Sequence, residues 1–120
     1  MGQRLSLRPR PAYRLLLALG ALIAASSLVC ALAVAASVHQ IAQKGREFQV
    51  KTINIGIGDV VRFTNDDEFL HQIFVTSDAF KFDSAEQPPG EAIEVKFPSA
   101  GLYSVRCHIH PKMLLSIMVK

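Results

Sequence analysis

Cysteine is nearly absent from this sequence of 120 residues, which contains only two, Cys30 and Cys107. Cys30 lies in an apolar segment near the N-terminus, so the rest of the chain has a single cysteine and cannot form an internal disulfide. In an oxidising compartment an exposed free thiol is a liability, and metal ligation is one way to protect it. The alternative is a buried, unreactive core cysteine.

Acidic residues are absent before Glu47, whereas Arg4, Arg8, Arg10 and Arg14 all precede the apolar segment. These arginines account for the formal charge of +3, because without them 9 basic residues stand against 10 acidic ones. The remaining chain therefore has no basic excess with which to bind nucleic acid, and no nucleic-acid partner is expected.

Charge is also absent from residues 15–36. An apolar run of this kind after basic residues is typical of an export signal or a membrane anchor. Its length approaches the roughly 20 residues that span a bilayer, which favours an anchor. The small-x-small sequence Ala33-Val34-Ala35 instead favours cleavage by a signal peptidase, and cleavage is the interpretation that we prefer. In either case the arginines should stay in the cytoplasm, so that the following residues are exported.

Three segments follow from this division. We predict a signal peptide or anchor over residues 1–38, a polar tether over residues 39–45 and one folded domain over residues 46–120, because the length suits a single domain. The domain should be periplasmic or otherwise extracytoplasmic, and monomeric. It would contact a membrane only through residues 15–36, and only if these are not cleaved.

A helical hydrophobic period is missing after residue 45. Short segments of alternating apolar residues are instead separated by turn residues, which predicts an all-β sandwich or barrel. The predicted strands lie within residues 48–57, 60–63, 71–76, 91–97, 102–107 and 114–120, with an irregular connection over residues 77–90.

The stretch most informative about chemistry is a CxxHxxM pattern formed by Cys107, His110 and Met113. A thiolate, an imidazole and a thioether at this spacing can turn toward one point, and the set is soft enough for copper. The best candidate for a fourth ligand is His71, at the start of a predicted strand. Two histidines and a cysteine in a plane, with a distant methionine, form the ligand set of a blue-copper site. We therefore predict one copper ion at these four residues.

Strand alternation indicates where the side chains near this pattern point. Tyr103, Val105 and Cys107 share one face of a strand, so Cys107 points inward if the other two fill the core. His108 should point the opposite way and lie outside the site. The acidic run over residues 66–68 is most simply interpreted as a solvated turn, and the alternative is that it modulates partner docking or the reduction potential.

Three stretches resemble the cupredoxin family, and its plastocyanin and amicyanin branch in particular. They are residues 57–65 (IGDVVRFTN), residues 101–107 (GLYSVRC) and the CxxHxxM loop. The resemblance covers roughly residues 46–120. It implies a Greek-key β-sandwich, preceded here by the apolar signal or anchor helix, that carries single electrons through Cu(I)/Cu(II).

Carried over by position, the resemblance makes His71, Cys107 and His110 the equatorial ligands of a type 1 copper ion and Met113 the axial one. The sequence departs from the family pattern at Gln72, where asparagine is common, and at Leu115, where glycine is common. We expect these two changes to alter the hydrogen bonds around the ligands.

The later histidine, here His110, lies near the surface in this family as the exit for the electron. Pro111, Leu114 and either Phe69 or Leu70 are candidates for an apolar rim around it. A rim of this kind suits brief docking with a redox protein partner.

We thus expect an exported electron carrier and not an enzyme. An alternative is a copper-binding or delivery protein without a dedicated electron-transfer role, which participation of His108 would favour. An enzyme is disfavoured because an axial Met113 leaves no open position on the metal. Two further interpretations of the sequence are a zinc site with the same ligands and a structural sandwich that binds no metal.

Overall fold

The computed structural model describes residues 33–120, and this part of the chain forms eight strands in two sheets. The strands are β1 (Val38–Gln43), β2 (Thr52–Ile55), β3 (Val60–Asn65), β4 (Ile73–Thr76), β5 (Lys81–Asp83), β6 (Ala92–Lys96), β7 (Gly101–Cys107) and β8 (Leu114–Val119). One sheet has the order β1-β3-β6 and the other β2-β8-β7-β4-β5. The pairs β1-β3 and β2-β8 are parallel and the others are antiparallel. The predicted all-β sandwich is therefore confirmed.

One hydrophobic core lies between the sheets, and the alternation of apolar residues along the strands builds it. Tyr103, Val105 and Cys107 of β7 are all buried, as are Leu115 and Ile117 of β8. Burial of each large apolar side chain contributes about 1.5–3 kcal/mol. The inward direction predicted for Cys107 is confirmed, because its neighbours on the same face fill this core.

The structure differs from the predicted tether over residues 39–45. Residues 38–43 form β1 and pair in parallel with β3, with Ile41 opposite Phe63. The strand is difficult to recognise because Gln43 occupies a core position and is 0% exposed. Its side-chain nitrogen is paired there, donating to Gln87 Oε1 at 2.7 Å, so a polar residue replaces the apolar one that alternation requires. The folded domain therefore begins before residue 46.

Two further differences concern strand bounds. β4 begins at Ile73, two residues later than predicted, because His71 forms only an isolated bridge with Gln87. The connection predicted to be irregular contains β5, which pairs with β4 at the edge of the larger sheet.

The predicted signal or anchor lies outside the described residues up to residue 32. Within residues 33–120, no helix has the length and apolar character needed to cross a membrane.

The side chain of Asp59 connects the start of β1 to the turn before β3 by hydrogen bonds. Its Oδ1 accepts a hydrogen bond from the backbone N–H of Ser37 at 2.8 Å. Its Oδ2 accepts one from the N–H of Gly56 at 2.8 Å and lies 2.9 Å from Nε2 of His39. The hydrogen bond with His39, together with the two from the backbone, lowers the pKa of Asp59 from 3.8 to about 2.

We predict that the ionised carboxylate of Asp59 stabilises the domain and that this stabilisation is lost in acid. Because the folded-state pKa lies below the usual value, the stabilisation is present above pH 3.8 and is lost as the pH falls through about 2. Urea unfolding should show that Asp59→Asn is less stable than the wild type at neutral pH, and that the difference shrinks towards pH 2. Asp78→Asn, at an exposed carboxylate, is the control and should leave the curve unchanged. A difference that does not depend on pH would contradict the prediction.

Candidate metal centre

The structure brings three of the predicted ligands to one end of the larger sheet. His71 lies just before β4, Cys107 ends β7, and His110 lies in the turn that leads into β8. Pairing of β4 with β7 places Ile73 opposite Cys107. The residues that precede β4 therefore reach the point where the CxxHxxM loop begins.

Three donor atoms converge at this point. The Sγ of Cys107 lies 3.8 Å from Nδ1 of His71 and 3.9 Å from Nδ1 of His110, and the two nitrogens are 3.3 Å apart. His71 is 0% exposed and Cys107 is 2% exposed, whereas His110 is only partly buried. The cluster can therefore hold a metal ion that is shielded from solvent on all sides except that of His110.

These separations fit a metal ion in a trigonal plane. Bonds of about 2.0 Å to nitrogen and about 2.3 Å to sulfur are typical of a borderline-soft ion. At angles of 120° such bonds separate two nitrogens by about 3.5 Å, and nitrogen from sulfur by about 3.7 Å. The three observed separations are within a few tenths of an ångström of these values. The two imidazoles and the thiol are thus already arranged for copper.

Met113, the fourth predicted ligand, lies beside this cluster in sequence and is 1% exposed. Its backbone N–H donates to the carbonyl oxygen of His110 at 2.9 Å, which closes the loop between the two residues. Met113 as axial ligand remains a prediction.

Cys107 receives a hydrogen bond from the backbone of Gln72. The Gln72 N–H points to Cys107 Sγ at 3.5 Å, and the N–H of His108 donates to the Gln72 carbonyl at 2.9 Å. The Gln72 side chain instead donates to the carbonyl oxygen of Ser84 at 2.9 Å. The backbone therefore connects the first histidine segment to the cysteine loop, and the glutamine side chain holds the neighbouring segment.

A buried polar network holds the backbone of His71, and the sequence analysis did not identify it. His71 and Gln87 exchange two backbone hydrogen bonds of 3.1 and 2.7 Å. The Gln87 side chain donates to the carbonyl oxygens of Phe63 and Glu91, both at 2.9 Å, and Asn65 donates to the Gln87 carbonyl at 2.9 Å. The signal available in the sequence for this network was the side-chain amide of Gln87, which lies in a segment without alternating apolar residues. These amides replace the ladder hydrogen bonds that the loop lacks.

Asp67 departs from the prediction of a solvated turn. Its side chain is only 8% exposed, and its Oδ2 lies 2.9 Å from Nε2 of His71. It also accepts hydrogen bonds from the N–H groups of Gly45 at 2.7 Å and Arg46 at 3.2 Å. Burial raises the pKa of Asp67, but the hydrogen bonds from Gly45, His71 and Arg46 outweigh it and hold this pKa below its usual value. The spacing of four residues between Asp67 and His71 was the signal available in the sequence.

His110 is surrounded by rings and by charge. Phe69 packs edge-on against both His71 and His110, with centroid distances of 5.6 and 5.2 Å. Burial lowers the pKa of His110, and its electrostatic interactions with His71 and Arg46 lower this pKa further. Its imidazole is thus held towards the neutral form, which is the form that binds a metal.

His108 points away from the cluster, in line with strand alternation. Its ring stacks on Phe74 at a centroid distance of 4.0 Å, and its Nε2 lies 3.1 Å from Oδ2 of Asp83. His108 therefore contacts Phe74 and Asp83 on the outer face of the sheet and does not reach the cluster.

Comparison with known proteins gives matches in one family. The family described as copper binding proteins, plastocyanin/azurin family, matches residues 35–120. The plastocyanin of Chlamydomonas reinhardtii is 36% identical over 73 residues, which are 53% of this chain and 50% of that protein. The plastocyanin of Tetradesmus obliquus is 35% identical over 72 residues, or 52% and 50% of the two chains. The chain thus spans about half the length of these curated relatives.

Solved structures share the fold. A reduced Cu(I) form of an amicyanin mutant superposes with a TM-score of 0.65 at 19% identity, covering 73% of this chain and 87% of that one. A purple cupredoxin from Nitrosopumilus maritimus gives 0.61 at 23% identity, with coverages of 68% and 99%. A copper-containing nitrite reductase from Thermus scotoductus gives 0.63 at 27% identity, but there the chain corresponds to only 22% of the larger protein.

We predict that Gln87→Ala lowers the free energy of unfolding by about 1–3 kcal/mol, because it removes the side-chain partner of the buried Phe63 carbonyl and the nearer partner of the buried Gln43 amide. Urea unfolding of the metal-free protein measures the change. The control Gln40→Ala, at an exposed position of β1, should stay within about 0.5 kcal/mol of the wild type. Equal effects of the two substitutions would contradict the network.

Proposed function

Because the chain belongs to the plastocyanin/azurin family of copper-binding proteins, we propose that it is an exported blue-copper protein that carries single electrons between redox protein partners. The family binds one type 1 copper ion, and the cluster of His71, Cys107 and His110 fits that cofactor. The resemblance to cupredoxins and the predicted cofactor are thereby confirmed. Export, electron transfer and the identity of the partners are the parts that we propose.

The observation that carries the proposal is the convergence of two imidazole nitrogens and one buried thiol at trigonal separations. Copper, when bound, supplies the change between Cu(I) and Cu(II). The chain supplies a set of ligands held at the ends of the paired strands β4 and β7, so that little rearrangement on electron transfer would be required. Cys107 would act as the thiolate, the form in which cysteine binds metals.

Burial around the site supports a carrier over an enzyme. His71, Cys107 and Met113 are each at most 2% exposed, so no substrate can approach them from that side. His110 is the ligand that reaches the surface. An electron can leave through its imidazole, whereas an outside substrate would need an open position on the metal.

The surface around His110 suits brief protein docking. Leu70, Ile109 and Leu114 are between 37% and 42% exposed. A groove of about 360 Å³ beside His110 is lined by Gly45, Arg46, Glu47, Ile109, His110, Pro111 and Lys112. Apolar side chains next to a redox-active ligand allow a small interface to form and separate quickly.

The contacts of His108 argue against the alternative function, copper binding or delivery without a dedicated electron-transfer role. It would be favoured by participation of His108, but that ring stacks on Phe74 and lies beside Asp83. For location, the basic residues and apolar run that precede the domain support export to the periplasm or another extracytoplasmic compartment.

The visible and EPR spectra of the full chain, purified in detergent and loaded with Cu(II), test the proposal. We expect intense blue absorption from thiolate-to-copper charge transfer and a narrow copper hyperfine splitting. Cys107→Ser should abolish the blue band, and His108→Ala should retain it. A pale spectrum of tetragonal copper in the wild type would overturn the proposal.

We predict that Leu114→Glu slows electron self-exchange between Cu(I) and Cu(II) copies of the protein about tenfold, equivalent to about 1.4 kcal/mol. The substitution puts a charge into the apolar surface where two His110 residues must approach. NMR line broadening in mixtures of the two oxidation states measures the rate. The control is Leu102→Glu, which adds the same charge at a residue that is 63% exposed at the opposite end of β7. Equal rates for the two variants would argue against docking at this surface.

A further inference from the structure

The two ring nitrogens of His71 have different surroundings. Nδ1 faces the cluster, 3.8 Å from Cys107 Sγ and 3.3 Å from Nδ1 of His110. Nε2 faces the opposite way and lies 2.9 Å from Oδ2 of Asp67. The ring is therefore held between the metal cluster on one side and a carboxylate on the other.

This arrangement decides which nitrogen is free to bind. An ionised carboxylate can only accept hydrogen bonds, so Nε2 must carry the hydrogen. In the neutral imidazole Nδ1 then has its lone pair exposed, and that lone pair points at the cluster. Asp67 thus selects the tautomer that can ligate through Nδ1.

Asp67 is itself held by the turn over residues 44–47. Lys44 donates its backbone N–H to the Glu47 carbonyl at 2.9 Å, which closes the turn. Gly45 and Arg46 have φ values of 66° and 58°, and their successive N–H groups both point to the Asp67 carboxylate. Backbone N–H groups arranged in this way form a concave anion site.

Arg46 is unusual in this turn. It is a non-glycine residue in the left-handed region, which is uncommon and often marks a functional constraint. Its guanidinium lies 4.6 Å from the centre of the Phe69 ring. Phe69 in turn packs against the rings of His71 and His110. The backbone of the turn therefore holds Asp67, and the side chain of Arg46 covers the ring that packs on both histidines.

We propose that Asp67 is a positioning residue of the metal centre, anchored by the turn over residues 44–47, and that it fixes the Nε2–H tautomer of His71 and favours Cu(II) over Cu(I). The inference rests on the proposed function only in its second part, because the tautomer is a property of the metal-free protein.

The preference for Cu(II) follows from charge. Asp67 is only 8% exposed, so solvent screens its negative charge weakly. The extra positive charge of Cu(II) is stabilised more by this carboxylate than the smaller charge of Cu(I). Removal of the carboxylate charge should therefore raise the reduction potential.

Two substitutions separate position from charge. Asp67→Asn keeps a carbonyl oxygen that can accept the Nε2–H but removes the charge, whereas Asp67→Ala removes both. The matched control is Asp66→Asn, which removes the same charge from the adjacent, exposed carboxylate. Circular dichroism of each variant establishes that the sandwich is folded.

The first measurement is nitrogen NMR of the His71 ring in the metal-free protein. We expect one Nε2–H tautomer in the wild type and in Asp66→Asn, and a mixture of tautomers in Asp67→Ala. If Asp67→Ala does not fold, the comparison of Asp67→Asn with Asp66→Asn in the second measurement decides the question.

The second measurement is the reduction potential of the copper-loaded proteins. For Asp67→Asn we expect the affinity for Cu(II) relative to Cu(I) to fall about tenfold, a rise of about 59 mV for one electron. Asp66→Asn should shift the potential far less. Equal potentials for the two asparagine variants, or a single Nε2–H tautomer in a folded Asp67→Ala, would overturn the inference. A wild-type spectrum that is not blue would refute the proposed function alone, because the tautomer measurement needs no metal.

Discussion

The metal centre depends on the pairing of β4 with β7, which sets Ile73 opposite Cys107. This register brings His71 to Cys107 although the two residues are 36 positions apart in the chain. A shift of one residue would turn Cys107 towards solvent, since neighbouring side chains of a strand point to opposite faces. The core residues of β7 would turn outward with it, so the hydrophobic core and the ligand cluster enforce the same register.

Hydrogen bonds outside the strands also hold the segment that carries His71 in position. The segment that carries His71 has only one bridge to Gln87, and the amides of Asn65 and Gln87 satisfy the carbonyls around it. Buried amides in a satisfied network stiffen a loop that has no ladder. Asp67 connects His71 to the turn after β1, so that the first strand of the domain contributes to the position of a ligand located just before β4 of the other sheet.

The site is asymmetric, which would suit the proposed transfer of electrons through one face of the protein. Three of the candidate ligands are enclosed by the core, while His110 is partly exposed and lies beside apolar residues. In the proposed role, an enclosed ligand set would limit rearrangement, and one partly exposed imidazole would give a redox partner a short path to the metal. The same sandwich recurs at low identity in amicyanin and in a copper-containing nitrite reductase, so the fold by itself does not determine function.

The sequence by itself determined the ligand loop, the faces of β7 and β8 and the all-β class, because side-chain alternation is a local property of the chain. Only the tertiary structure decided that residues 38–43 are a strand, that Gln87 lies in the core and that Asp67 contacts His71. Each of these places a polar side chain where a sequence pattern predicts solvent. Its burial is stable because a residue distant in the chain, Gln87 for Gln43 and Gly45 for Asp67, supplies a hydrogen bond. The position of that partner is known only once the sheets have been assembled.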